Sequence, residues 1–187
     1  DMDRLINELA VYSGIDNNRI PYNFHRINVV DYFEDCVEEV GLDLESMNIR
    51  LNYSNMVDSD VIVIADPEQM KKVINNIISN SVKYMDKPQG IIDIRVLDES
   101  DSIRVEIEDN GKGIAQKDLQ NIFERFYRTD ASRNSSQGGS GIGLMDIWKI
   151  KRKYKASLHI YEYPANMNIY TKKIAFVFDR KNHFLIQ

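Results

Sequence analysis

Asn76 and Asn80 stand four residues apart in the stretch NNIISNSVKYM, and Lys83 and Tyr84 follow within one turn. On a helix that spacing stacks side chains on one face. Asn76, Asn80 and Lys83 then form a polar strip beside the apolar side of Ile77, Ile78 and Val82. Asparagine is a poor helix former, so two of them in mid-helix ask for a reason, with a plain solvated face as the alternative when the strip is taken alone. In IRVEIEDNGKGI, strand-like alternation ends at Asp109, with Gly111 and Gly113 just after it. A carboxylate there can accept a hydrogen bond from an exocyclic amine. If buried, it needs a donor from a ligand or a water. The two glycines let the backbone turn tightly and leave room for a flat ring.

A third stretch, SQGGSGIGLMDIWKI, places four glycines within six positions. Gly139, Gly141 and Gly143 could turn backbone N–H groups toward phosphate oxygens at the start of a helix. This is not a P-loop, because GxxxxGK[ST] is absent and Leu144 is followed by Met145 and Asp146. Nor is it a dinucleotide fingerprint, since no strand leads into it and no βαβ unit surrounds it.

These stretches need elements to hold them. Leu5, Ile6, Leu9 and Tyr12 recur at helical spacing, so Asp1–Ser13 reads as the end of a helix. Gly14–Phe24 is turn-rich and reads as a linker. Asn28–Leu42 is predicted helical, with Asn28 as its cap. Ile49–Tyr53 and Val61–Ala65 read as strands. Asp66 can cap the next helix and Pro67 can open it. That helix runs to about Lys83, with Met70, Val73, Ile74, Ile77, Ile78 and Val82 on its apolar side.

Two strands follow, Ile91–Leu97 and Ser102–Asp109, with a turn over Asp98–Asp101. Asn110–Gly143 is a long, mostly polar connection with a short helix near Gln116–Phe123. A connection of that length is either disordered or a lid over a ligand. A helix over Leu144–Tyr154 and strands over Leu158–Tyr163 and Ile174–Phe178 complete the chain. The mixed order predicts an α+β domain, a two-layer α/β sandwich, in place of a doubly wound sheet.

Composition narrows the classes. Apolar residues make up 43% and charged residues 28%, the profile of a packed globular domain. A net charge of -5 argues against a broad nucleic-acid surface. Cys36 is the single cysteine, which excludes an internal disulfide and a thiolate metal cluster. No apolar run is long enough for a membrane span.

The order of the stretches is more telling than any one of them. An Asn-bearing helix, a strand ending in DxGxG, the segment IFERFYR (Ile122–Arg128) and a GxGxG turn occur in sequence. This arrangement resembles the ATP-binding catalytic domain of sensor histidine kinases, in the wider group that includes gyrase, Hsp90 and MutL. The resemblance implies the Bergerat-type sandwich, a mixed sheet covered by helices, with a long ATP lid. It implies residues 1–24 as the end of a dimerisation helix with its linker, and residues 25–187 as the catalytic domain. ATP and Mg2+ are the implied cofactors.

Residue by residue, Asn80 is expected to coordinate the magnesium ion, with Asn76, Lys83 and Tyr84 along the phosphates and sugar. Asp109 matches the aspartate that binds the adenine amino group. Gly111, Gly113 and Ile114 match the first glycine box. Phe123 and Phe126 match the F-box aromatics, and Arg128 approaches the phosphates. Gly139, Gly141 and Gly143 match the second glycine box, with Leu144 near the nucleotide. Related ATP hydrolases carry an acidic residue where this chain has Asn76, and an amide cannot act as a general base near neutral pH. Slow hydrolysis, with transfer to a histidine, is the expectation.

None of His25, His159 and His183 lies in the acceptor box of that family, so the acceptor is expected outside this fragment. The resemblance also implies a homodimer through the dimerisation domain, a response regulator partner, and a cytoplasmic domain of a membrane-anchored protein. The pattern breaks after Leu144. Met145 and Asp146 replace small and apolar residues, and Tyr154, Lys155 and Ala156 stand where His-Gly-Gly is usual. That break keeps a non-catalytic nucleotide-sensing module as the alternative. A gyrase-type ATPase is a third reading, and Asn76 argues against it.

Overall fold

The computed structural model describes residues 23–113, 158–162 and 172–179. The first strand, β1 (His25–Asn28), runs straight into helix α1 (Val29–Ser46). Asn28 ends the strand and caps the helix, its side-chain oxygen accepting from the Asp31 N–H. Strands β2 (Ile49–Met56) and β3 (Ile62–Ala65) lead to helix α2 (Pro67–Lys83). Strands β4 (Gly90–Asp98), β5 (Ser102–Asp109), β6 (Leu158–Glu162) and β7 (Lys172–Asp179) follow.

The main sheet has the order β2-β4-β5-β7-β6. β2 and β4 are parallel and every other neighbouring pair is antiparallel, so the sheet is mixed as expected. The sequence reading of the strands agrees to within a few residues, and Ser102–Asp109 matches at both ends. Two features depart from it. α1 continues four residues beyond Leu42, to Ser46. β1 was not expected at all, and it pairs antiparallel with β3 in a separate two-stranded ribbon.

α2 carries the site, and its ends are well defined. Asp66 caps it by accepting from the Gln69 N–H, and Pro67 opens it. The second carboxylate oxygen of Asp66 accepts from the Asn23 N–H at 2.8 Å. Tyr32 of α1 donates to the Pro67 carbonyl at 2.7 Å. The start of α2 is therefore tied both to α1 and to the chain entering β1. Met70, Val73, Ile74, Ile77 and Ile78 are buried on one face of α2, against β4 and β5. Each such side chain contributes about 1.5–3 kcal/mol as an upper figure.

The inner sheet face supplies Ile92, Ile94, Val96, Ile103, Val105 and Ile107, all at or below 3% exposure. On the opposite face Glu106 is also buried, and Arg95 and Arg104 flank it. Arg95 further pairs with Glu108 and Asp93. Cys36 sits in the core beside α1's apolar residues, where burial pushes its thiol up from the ordinary value. No described helix is long and apolar enough to cross a membrane.

Candidate functional site

The last turns of α2 and the end of β5 meet. Asn76, Asn80, Lys83 and Tyr84 are all half-buried, as befits a strip at the edge of a helix–sheet interface. Lys83 lies with its ammonium nitrogen 5.4 Å from the Tyr84 ring centroid, within cation–π range. Tyr84 is the C-cap of α2, its N–H bonded back to the carbonyls of Asn80 and Val82.

Asp109 closes β5 and is 4% exposed. The sequence alone suggested that a buried Asp109 would take its donor from a ligand or a water. Two protein donors are present instead. The Ser81 hydroxyl reaches Oδ2 at 2.6 Å, and the Gly111 N–H reaches Oδ1 at 3.1 Å. These bonds satisfy a group that would be costly to bury unpaired, and they aim it.

The glycine turn seats on the end of α2. The Lys112 N–H donates to the Tyr84 carbonyl at 3.0 Å. A Cβ added at Gly111 would meet that same carbonyl oxygen at 2.9 Å and Asp109 Oδ1 at 3.0 Å. Gly111 is thus required by close approach, and Gly113 by a positive φ of 73°. Asn110 fixes the other side of the turn. Its backbone N–H donates to the Ile91 carbonyl, its side-chain oxygen accepts from the Ile91 N–H, and its side-chain nitrogen donates to the Gln89 carbonyl. The polar strip of α2 and the DNGKG turn, separate in sequence, thereby form one corner of the molecule.

A family model described as histidine kinase-, DNA gyrase B-, and HSP90-like ATPase matches residues 65–179, which span this corner and every strand of the main sheet but β2. The chain belongs to this ATPase family. Sensor histidine kinase WalK of Bacillus subtilis is 32% identical over 146 residues, covering 76% of this chain and 23% of WalK. The chain thus spans about a quarter of that relative's length. The solved catalytic domain of histidine kinase ThkA superposes with a TM-score of 0.70 at 20% identity, covering 84% of this chain and 98% of that one. ThkA solved in complex with response regulator protein TrrA gives 0.70 at 16% identity, covering 96% and 49%. At these identities the two structures speak for the fold. It is the mixed α/β Bergerat architecture expected from the sequence, and the chain is an ATP-binding domain homologous to histidine kinase catalytic domains.

The residues of the corner suit a nucleotide and its metal. Gly111 lets the turn pack closely on the end of α2, beside a buried carboxylate able to accept from an amine. Among the described residues no group of three or more His, Cys, Asp or Glu could hold a metal. An ion at Asn80 would therefore take one neutral amide oxygen and complete its shell from phosphates and water, as Mg2+ commonly does.

The structure places Asn76, Asn80 and Lys83 on α2 with Tyr84 as its cap, and joins the end of that helix to Asp109 and the turn that holds Gly111 and Gly113. Ile114, Phe123, Phe126, Arg128, Gly139, Gly141, Gly143 and Leu144 lie outside the described residues, as do the expected lid and the helix over Asp1–Ser13. Ser81 was missed by the sequence reading. The signal was available: Ser81 falls on the apolar stripe of α2, four residues after Ile77 and three after Ile78. A polar side chain on such a stripe demands a partner.

Proposed function

We propose that this chain is the ATP-binding catalytic portion of a two-component sensor histidine kinase. In this reading it donates the γ-phosphate of ATP to a histidine other than His25, His159 and His183. The observation that carries it is the buried Asp109 carboxylate held at the end of β5 beside the Asn-bearing helix.

In the proposed mechanism Asp109 accepts a hydrogen bond from the adenine amino group. Gly111 keeps the turn seated on α2 and its N–H holds Asp109 in place. Lys83 brings a compact positive charge toward the phosphates. The Asn80 side-chain oxygen would hold Mg2+, which would offset charge on the phosphate oxygens when bound. Asn76, an amide, cannot take a proton from water, so ATP is held without rapid hydrolysis until a histidine is presented. Transfer then rests on positioning and charge stabilisation. Ile114, Phe126, Arg128, Gly139, Gly141, Gly143 and Leu144 join the site in this proposal on sequence alone.

A homodimer joined through a dimerisation domain, a response regulator as phosphate acceptor, and a cytoplasmic position in a membrane-anchored protein belong to the same proposal. The ThkA–TrrA complex supports the partner class. A second reading, a nucleotide-sensing module without transferase activity, is favoured by Tyr154, Lys155 and Ala156 in place of His-Gly-Gly.

The test is ATP binding with and without Mg2+, in the native chain and in Asn80→Ala. Mg2+ should strengthen binding in the native chain and do little in the variant. Equal Mg2+ dependence in both would remove Asn80 from the site. Phosphotransfer from ATP to a supplied dimerisation domain separates the kinase from the sensor.

A further inference from the structure

Ser81 is 1% exposed, and its hydroxyl faces two acceptors. Asp109 Oδ2 lies at 2.6 Å, and the carbonyl of Ile77, one turn back on α2, lies at 3.1 Å. The hydroxyl has one hydrogen to give. The shorter contact, to a charged acceptor, is the stronger and takes it. The Gly111 N–H holds the other oxygen of the same carboxylate. Asp109 is thus gripped from two sides by two different elements, α2 and the turn after β5. Two donors on opposite oxygens fix the plane of a carboxylate and so fix the directions in which it accepts.

We propose that Ser81 is a positioning residue for base recognition: its hydroxyl sets the carboxylate of Asp109 in the orientation that distinguishes a 6-amino purine from a 6-oxo purine. This rests on the reading that Asp109 faces the base. A fixed carboxylate discriminates in two ways. It accepts from an amino group, and it opposes a carbonyl oxygen that it cannot turn away from. With alanine at position 81 Oδ2 loses the Ser81 hydroxyl, and the carboxylate is held less firmly. The amine then loses aligned contact, while the carbonyl no longer meets a rigid negative oxygen. Both changes shrink the preference. A serine that merely packed at a close helix–sheet approach would change affinity for both nucleotides alike.

The experiment measures Kd for Mg·ATP and Mg·ITP by competition against a fluorescent nucleotide. It uses the 187-residue chain, Ser81→Ala and Ser81→Cys. Alanine suits a helix interior, and cysteine keeps a side chain of similar shape with a larger atom and only a weak donor. The native chain should prefer ATP. The ITP-to-ATP ratio of Kd values should fall about tenfold in Ser81→Ala, the size of one charge-assisted bond, with Ser81→Cys between the two. A ratio unchanged in Ser81→Ala overturns the role of Ser81 and leaves the Asp109 reading standing. Loss of both affinities in equal proportion also overturns it, by showing a structural role only. A native chain that binds ATP and ITP equally overturns the Asp109 reading and this inference together.

Discussion

Replacing Gly111 by alanine places a methyl carbon 2.9 Å from the Tyr84 carbonyl oxygen and 3.0 Å from Asp109 Oδ1. Neither neighbour can give way cheaply. The carbonyl belongs to the C-cap of α2 and accepts from the Lys112 N–H. The carboxylate is buried and held by Ser81. The turn must therefore move off α2. Overpacking of this kind costs about 1–3 kcal/mol, and weakening the Gly111 N–H bond to Asp109 adds about 1 kcal/mol. In a chain of this size each kcal/mol shifts Tm by about 2–4 °C, so Gly111→Ala should melt about 4–16 °C lower. The same shift loosens Asp109, and ATP affinity should fall about tenfold or more. Thermal unfolding followed by circular dichroism, with ATP titration on the same samples, reads both effects. Gly41, inside α1, is the internal control, because a Cβ there meets nothing nearer than Leu51 Cδ2 at 4.0 Å. Gly41→Ala should stabilise by about 0.5–1 kcal/mol through helix propensity. An unchanged Tm and ATP affinity in Gly111→Ala would refute the view that the turn is seated on α2.

Further outcomes follow from other contacts. Asp66→Ala should lower stability by about 2–4 kcal/mol in urea unfolding, since it removes the α2 cap and strands the half-buried Asn23 bond. Asp66→Asn, which can still cap, should recover part of that loss. The Cys36 thiol is raised by burial, so the folded chain keeps its proton at a pH where the unfolded chain has lost it. That contribution is present below the ordinary thiol range and lost as pH rises through it, so Cys36→Ala should flatten the alkaline fall in stability. Alkylation of Cys36 by iodoacetamide should be slow in the native chain and fast in denaturant.

Much of this architecture is legible in the sequence for local reasons. Asp66 and Pro67 announce the start of α2, and the stripe from Met70 to Ile78 fixes its buried face. Asp109 and Gly111 mark a strand end and a turn by residue type. What was not legible is non-local. β1 is four residues long and exists because Ile62–Ala65 offers it a ladder, which no local pattern encodes. Its HRIN sequence, beside a turn-rich segment, gives no strand signal of its own. The continuation of α1 past Leu42 reflects Leu44 packing into the core. At the site, the strip on α2 could be read from spacing, but the docking of Gly111 on the Tyr84 carbonyl joins residues far apart in sequence. The donors to Asp109 were hidden for the same reason. Ser81 could have been suspected from its place on the apolar stripe, but its partner is set by the fold.

The central claim is that ATP binds at the corner where α2 meets the end of β5, with Asp109 reading the base. A crystal structure of the chain with Mg2+ and a non-hydrolysable ATP analogue tests this directly. The adenine amino group should lie within hydrogen-bond distance of an Asp109 carboxylate oxygen, and Mg2+ should lie on the Asn80 side-chain oxygen. A nucleotide seated away from this corner, or one whose sugar or phosphates face Asp109, would contradict it.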